Sequence, residues 1–244
     1  MAKLVHSISK RLNRLRPFPS LVSRRGATFL LDPRDWIDNR IIAGAPFENE
    51  QLAFAKKLAL DERLTTFIDI GANLGLYTVL LGRQPQIDRI IAFEPVRRSY
   101  AQLMGNVFAN ELSAKVDAHR IALGSTTAEA TIHIDPRSHG LARIDLAGAD
   151  RDLRVFSQSE TISIRRFDDV VDLKTQRCLV KIDVEGAVAG VLGGMQRFLA
   201  SNDVWLQIEL LDSELSVVPS LLSDAGYREF ARIDRDTYFR KAAQ

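Results

Sequence analysis

The chain has 244 residues, of which 46% are apolar and 26% charged, with a formal net charge of +2. That is enough apolar material for the core of one ordinary α/β domain, and the near-balance of charge excludes a disordered chain or a dedicated nucleic-acid binder. The one cysteine, Cys178, excludes an internal disulfide and a cysteine-rich zinc site, and suits a reducing, cytoplasmic setting.

Residues 1–25 carry seven Lys or Arg and no acid, which leaves the remainder mildly acidic. Within this arm Leu4, Val5, Ile8, Leu12 and Leu15 recur at helical spacing until Pro17 and Pro19 end the pattern. A basic amphipathic helix is expected, as a solvated or packed arm or as a peripheral contact of residues 1–20 with an anionic membrane surface. No apolar run reaches the roughly 18–20 residues needed to cross a bilayer. Arg11, Arg14 and Arg16 also interrupt the stretch that a secretion signal would need.

From residue 26 onward short apolar runs alternate with helical patterns, and residues 26–244 are expected to form one domain. A strand at 66–70 leads through Gly71 into a helix carrying Leu76, Val79 and Leu80. A second strand, 87–93, precedes Glu94 and a helix marked by Tyr100, Leu103, Met104 and Val107. A third strand is expected at 114–122, hairpin material around 130–134, and a polar loop over about 135–152. Buried strands follow at 178–182 and 204–210, then a helix over about 213–225 and a closing pair near 227–233 and 237–239. This alternation predicts a Rossmann-like α/β fold, a mostly parallel central sheet with an antiparallel last strand and helices on both faces. Ligands in such sheets bind beyond the carboxyl ends of the strands.

The stretch FIDIGANLG (67–75) ends a strand with Asp69, and Gly71 permits a tight turn with close backbone approach to a ligand. Gly75 lets the next helix pack closely. Asn73 stands where a dinucleotide fingerprint has the glycine that admits a pyrophosphate, so a nucleoside without one fits better. Glu94, at the tip of the second strand, is spaced to accept both ribose hydroxyls and would repel a 2′-phosphate. The plainer reading of Asp69 and Asn73 is a self-satisfied turn in which Asn73 caps the helix.

These motifs resemble the FkbM family of methyltransferases, through FIDIGANLGLYT (67–78), AFEP (92–95), HRIALGS (119–125) and KIDVEGAVAGVLGG (181–194). The likeness runs from about residue 26 to 233. It implies a class I methyltransferase fold, S-adenosylmethionine as cofactor, and O-methylation of a natural product or sugar. By the same resemblance Asp69, Gly71, Ala72, Asn73 and Gly75 form the cofactor loop and Glu94 holds the ribose. Ala122 and Leu123 flank the adenine, and Asp183 also reaches the cofactor.

Asp183 and Glu185 follow a central strand and share a side if the chain stays extended there. Either serves as the base for an acceptor hydroxyl, or the pair orients the hydroxyl and the cofactor ammonium. Glu209, at the end of the next strand, adds a third carboxylate, and three converging acids could also bind Mg²⁺. The alternative is that Lys181 pairs with an acid and Glu185 caps a helix. His139, in the loop segment RSHGLAR, is either a base on a substrate lid or an ordinary exposed histidine. His119 and His133 belong to exposed strand faces, and Cys178 to the core. Arg137, Arg143, Arg165 and Arg166 form a solvated face or meet an acidic or sugar acceptor.

The expected partner is a small-molecule or sugar acceptor, with no nucleic acid. Two rivals stand beside this reading: an NAD-dependent oxidoreductase, which Asn73 disfavours, and a methyltransferase-like domain kept as an interaction module without catalysis. The chain lacks the Asn-Pro-Pro-aromatic or Asp-Pro-Pro-aromatic tetrad of many amino-methyltransferases.

Overall fold

The run TFIDI forms strand β3 (Thr66–Ile70) with all five residues buried, as a parallel strand covered on both faces should be. Alternation sends Phe67 into one apolar cluster and Ile68 and Ile70 into another. The structure is a computed structural model that describes residues 12–15, 18–144 and 156–242. The helix expected in the basic arm therefore lies largely outside the described residues, as does part of the expected 135–152 loop.

The chain enters through an antiparallel hairpin, β1 (Ser20–Arg24) and β2 (Ala27–Leu31), which the sequence reading missed. The boundary drawn after residue 25 falls inside its turn, where Arg25 and Gly26 both take positive φ. Helices α1 (Trp36–Ile42) and α2 (Asn49–Asp61) follow, also unanticipated. From β3 the chain passes to α3 (Leu76–Gly82), β4 (Arg89–Phe93), α4 (Arg97–Ala109) and β5 (Val116–His119). After an inserted unit come β10 (Arg177–Ile182), α6 (Val188–Gly194), α7 (Gln196–Ser201), β11 (Asp203–Glu209), α8 (Val217–Asp224), β12 (Tyr227–Ile233) and β13 (Asp236–Lys241), the short α5 (Phe167–Val170) having preceded β10.

Seven of these strands form one sheet in the order β12-β13-β11-β10-β3-β4-β5. Pairings from β11 to β5 are parallel, and β13 alone runs against its neighbours. The expected reversed last strand is thus present, inserted between β11 and β12. One face carries α2, α3 and α4, the other α6, α7 and α8.

The inserted unit corrects two expectations. The predicted third strand stops at His119, and Ala122 and Leu123 form β6 (Ala122–Leu123) in a second, four-stranded sheet ordered β6-β9-β7-β8. Here β7 (Ala128–Asp135) pairs antiparallel with both β8 (Ser138–Arg143) and β9 (Gln158–Arg165). RSHGLAR is therefore largely strand rather than open loop. Alternating Ala130, Ile132, Ile134, Ile162 and Ile164 give this sheet a small core of its own.

The edge of β2 is closed by side chains instead of a strand. Asn106 on α4 accepts from the Leu30 N–H at 2.6 Å and donates to the Leu74 carbonyl at 2.7 Å, while Asn110, one turn on, bonds both the N–H and the carbonyl of Thr28. Asn106 is fully buried, so alanine there strands one backbone donor and one acceptor. Asn106→Ala should cost about 3 kcal/mol, read as the change in unfolding free energy by denaturant titration. An unchanged midpoint would show that water replaces both bonds.

Candidate functional site

A cavity of about 950 Å³ opens beyond the carboxyl ends of β3, β4, β10 and β11, where both sheets meet α1. It is at the upper end of the roughly 300–1,000 Å³ of small-molecule pockets. All twelve candidate residues except Gly75 line it: Asp69, Gly71, Ala72, Asn73, Glu94, Ala122, Leu123, His139, Asp183, Glu185 and Glu209.

The 71–75 turn is built by three constraints. Gly71 has φ +84°, and a Cβ placed on it would lie 1.9 Å from the Asp183 carbonyl oxygen. The close approach that demands glycine is thus to the neighbouring strand tip. Asn73 has φ +49° and its N–H donates to Glu94 Oε2 at 2.8 Å. Gly75 has φ +84°, and a Cβ there would meet Leu103 of α4 at 2.5 Å. It therefore admits the neighbouring helix. The expected cap is also reassigned. Asp69 Oδ2 accepts from the N–H and hydroxyl of Thr78 at 3.0 and 2.6 Å, so Asp69 ties down the start of α3, and Asn73 does not cap it.

Glu94 is 5% exposed and bridges two segments, its Oε1 accepting the Val96 N–H at 2.8 Å. Burial pushes its carboxyl up to about 7, against the opposing pull of those two backbone donors.

Sheet register assembles a polar row beneath the cavity, since Lys181 pairs with Asp69 on one side and Gln207 on the other, and Gln207 with Tyr238. Lys181 Nζ lies 2.6 Å from Asp183 Oδ2 and 4.7 Å above the Tyr77 ring. Burial opposes its charge, but Asp183, Glu48, Tyr77 and Asp236 outweigh burial and hold the ammonium well above its usual range. Glu48, which precedes α2 with φ +49°, is pushed up to about 7 by burial. Glu209 is pushed up to about 8, first by the negative charge of Asp183 and then by burial. The sequence reading missed Glu48 and Tyr77. Tyr77 stood in the quoted motif, but nothing local marks Glu48.

Asp183 and Glu185 do not share an extended strand, because β10 ends at Ile182 and the chain turns to Gly186 at φ +81°. Asp183 faces Lys181, the acid pairing expected as the alternative, while Glu185 caps no helix. Glu185 Oε2 instead meets Arg143 Nη2 at 2.8 Å and Nε at 3.2 Å, which fastens β8 to the tip of β10. Among the described residues no three His, Cys, Asp or Glu side chains are arranged to hold a metal ion, so the Mg²⁺ reading finds no support.

His139 is no exposed loop histidine. It is 8% exposed on β8, and Asp35 Oδ2 receives both its backbone N–H at 3.0 Å and its Nδ1 at 3.1 Å. Asp35 Oδ1 caps α1 by accepting from the N–H groups of Ile37 and Asp38 at 2.8 and 3.2 Å. With three backbone donors already on this acceptor-only carboxylate, Nδ1 is the fourth donor, and Nε2 is the ring nitrogen not engaged by Asp35. Asp35 was legible in principle as an Asp before an apolar helical run. The other described histidines fall outside this arrangement: His119 stacks on Phe93 at 5.1 Å, and His133 sits half-buried on β7. Cys178 is core, and burial pushes its thiol up to about 12.

No described helix is long and apolar enough to cross a membrane. Among proteins of known sequence, "Methyltransferase 1" of Beauveria bassiana is 25% identical over 183 residues, covering 66% of this chain and 71% of that protein. Among solved structures, methyltransferase FkbM from Methylobacillus flagellatus superposes with a TM-score of 0.51 at 18% identity, over 72% of this chain. The match spans 43% of that longer protein. That likeness shows the fold: the seven-stranded sheet with its single reversed strand belongs to a Rossmann-like class I methyltransferase fold. A family model described as the methyltransferase FkbM domain matches residues 69–229, from the Asp69 that ties down α3 to the middle of β12, and the chain belongs to that family of methyltransferases.

Proposed function

We propose that this protein transfers a methyl group from S-adenosylmethionine to a hydroxyl of a sugar or other small molecule. The observation that carries the reading is Glu94, a buried carboxylate that uses one acceptor position of each oxygen on a loop N–H and keeps the others for ligand hydroxyls. The donor set suits the nucleoside: Glu94 for the ribose, the 71–73 turn beside it, and Ala122 and Leu123 as apolar walls for the adenine. When bound, S-adenosylmethionine supplies a sulfonium methyl that is already activated, so the protein has to align the acceptor oxygen and take its proton.

His139 is suited to that task. Asp35 fixes the ring through Nδ1, and Nε2 is the nitrogen left to the cavity that the residue lines. With S-adenosylmethionine bound, Nε2 of His139 would take the proton that the acceptor hydroxyl gives up on methylation. Asp183 and Glu185 serve the site differently from the bases first expected of them. Each is held by a cation, so Asp183 sets the charge of the floor and Glu185 holds β8 over the cavity. Glu209, with its carboxyl pushed up to about 8 first by the charge of Asp183, is suited to donate a hydrogen bond to the acceptor.

Calorimetry tests the reading. S-adenosylmethionine and S-adenosylhomocysteine should bind and NAD should not; preference for NAD overturns it, and binding of none of the three favours an interaction module. Glu94→Gln should weaken the nucleoside at least about tenfold, because one charge-assisted acceptor becomes a donor. Wild-type affinity should fall as pH drops through about 7, where Glu94 takes up a proton, and the glutamine variant should lose that dependence. The same carboxyl affects folding with a defined sign. Its folded value of about 7 exceeds the ordinary 4.5, so its contribution to stability is fully present below about 4.5 and is lost as pH rises through 7. Glu48 and Glu209 are pushed up as well and share that stability trend, so loss of the binding trend in the glutamine variant is what identifies Glu94, and a pH-independent affinity removes it from the ribose.

A further inference from the structure

The cations that line the cavity differ in their partners. Arg34, Arg137 and Lys181 are each bonded to a carboxylate, of Asp32, Asp135 and Asp183 respectively. Arg40 and Arg14 line the same cavity and have no carboxylate partner among the described residues. Arg40 is half-buried: its Nη2 donates to the Pro46 carbonyl at 2.6 Å, while its Nε is buried with no acceptor at all. An orphaned buried donor on a guanidinium is costly, by about 1–3 kcal/mol or more, and natural structures keep few of them.

Arg40 also carries an aromatic platform. Trp36 lies one turn earlier on α1, with the Arg40 guanidinium carbon 4.8 Å above its ring and the edge of Phe47 against it. Trp36 is 51% exposed although it lines the cavity, and the other tryptophan, Trp205, is buried. Asn13 donates to Asn39 at 3.4 Å, which sets Arg14 alongside the same helix. The cavity thus has a carboxyl-rich floor of Glu48, Asp183 and Glu209 and, at α1, an aromatic face flanked by two uncompensated arginines.

We infer that the methyl acceptor carries an anionic group, a phosphate or a carboxylate, which binds Arg40 and Arg14 while its ring lies against Trp36. This rests on the hydroxyl-methylation reading and narrows its substrate class. The planar guanidinium fork matches either oxyanion in two-pronged fashion, and an oxyanion in the cavity meets the Nη side of Arg40, its Nε being enclosed. On the floor Lys181 is already bonded to Asp183 and offers such a group no free cation, so an acceptor is held in one direction, with its anion at α1 and its hydroxyl inward. An aromatic ring face suits the C–H face of a sugar as well as another ring.

The test titrates protein saturated with S-adenosylhomocysteine with glucose 1-phosphate, glucuronate or methyl glucoside, reading tryptophan emission. Both anions should bind at least about tenfold more tightly than the neutral glycoside, and their ranking tells phosphate from carboxylate. Arg40→Gln should abolish the preference for anions and leave S-adenosylhomocysteine affinity unchanged, and Trp36→Phe should remove the optical signal. Equal binding of the neutral glycoside, binding of no probe, or unaltered anion binding by the Arg40 variant each overturns the inference. So does a parallel loss of S-adenosylhomocysteine, which would assign Arg40 to the cofactor carboxylate. If wild-type protein fails to bind S-adenosylhomocysteine, the methyl-transfer reading falls. The anion titration repeated without the nucleoside then decides the arginine site by itself.

Discussion

Gly71→Ala should be the most damaging small substitution in the chain, costing about 2–5 kcal/mol and lowering the melting temperature by on the order of 10 °C. Two penalties combine. An alanine at φ +84° is strained whatever its surroundings, and the added carbon would lie 1.9 Å from the Asp183 carbonyl oxygen, a backbone atom with no side-chain freedom to yield. Gly226 separates the two, since it has φ +81° and an added Cβ would find nothing within 4 Å, so Gly226→Ala incurs the conformational part alone, about 1–2 kcal/mol. Differential scanning calorimetry of both variants should show the Gly71 variant clearly the less stable. Equal losses would mean that the β3 and β10 tips separate at no cost. Because the same turn presents the Asn73 N–H to Glu94, nucleoside binding should fall with the stability of the Gly71 variant and remain intact in the other.

His139→Ala should reduce turnover by about 10²–10⁴-fold, the usual contribution of a positioned general base. The assay is transfer of labelled methyl into an acceptor fraction at saturating donor, with donor affinity measured separately. Affinity should stay within about twofold, because the proposed nucleoside contacts, Glu94 and the 71–75 turn, do not include β8. Asp35→Asn is the more discriminating variant. Asparagine also caps helices, so α1 keeps its start, but the carboxylate that orients the ring is gone. Turnover should fall with little change in melting temperature. If both variants lose stability and neither loses turnover beyond it, the pair is a strut between β8 and α1, and the base must be sought on the cavity floor.

The sheet was largely legible because its central strands must be buried on both faces, which writes them as mostly apolar runs: TFIDI, RIIAF and RCLVKI. The strand tips followed directly, and with them Gly71, Glu94 and Asp183. What escaped depends on partners distant in sequence. β8 has polar and glycine residues because it covers a cavity beside β7, so SHGLAR reads locally as loop. Asp35 and His139 lie 104 residues apart and meet only after β8 docks on α1. The shared side for Asp183 and Glu185 failed because regular strand geometry stops at Ile182, one residue before the first of them. Asn73 was credited with the cap that Asp69 provides, since periodicity cannot tell which of two nearby polar residues points back toward a helix.

The division of the cavity wall between two sheets has a consequence for how this protein can change. The seven-stranded sheet supplies Asp69, Gly71, Glu94 and Asp183, and the four-stranded one supplies Ala122, Leu123 and His139. Among the described residues no strand pairing crosses between them, and the Arg143–Glu185 bridge and the Asp35–His139 contact act as polar clasps that fasten β8 to the rest. Changes within residues 124–142 that spare His139 therefore leave the register of the seven-stranded sheet untouched. The larger sheet stays fixed while its companion is free to diversify.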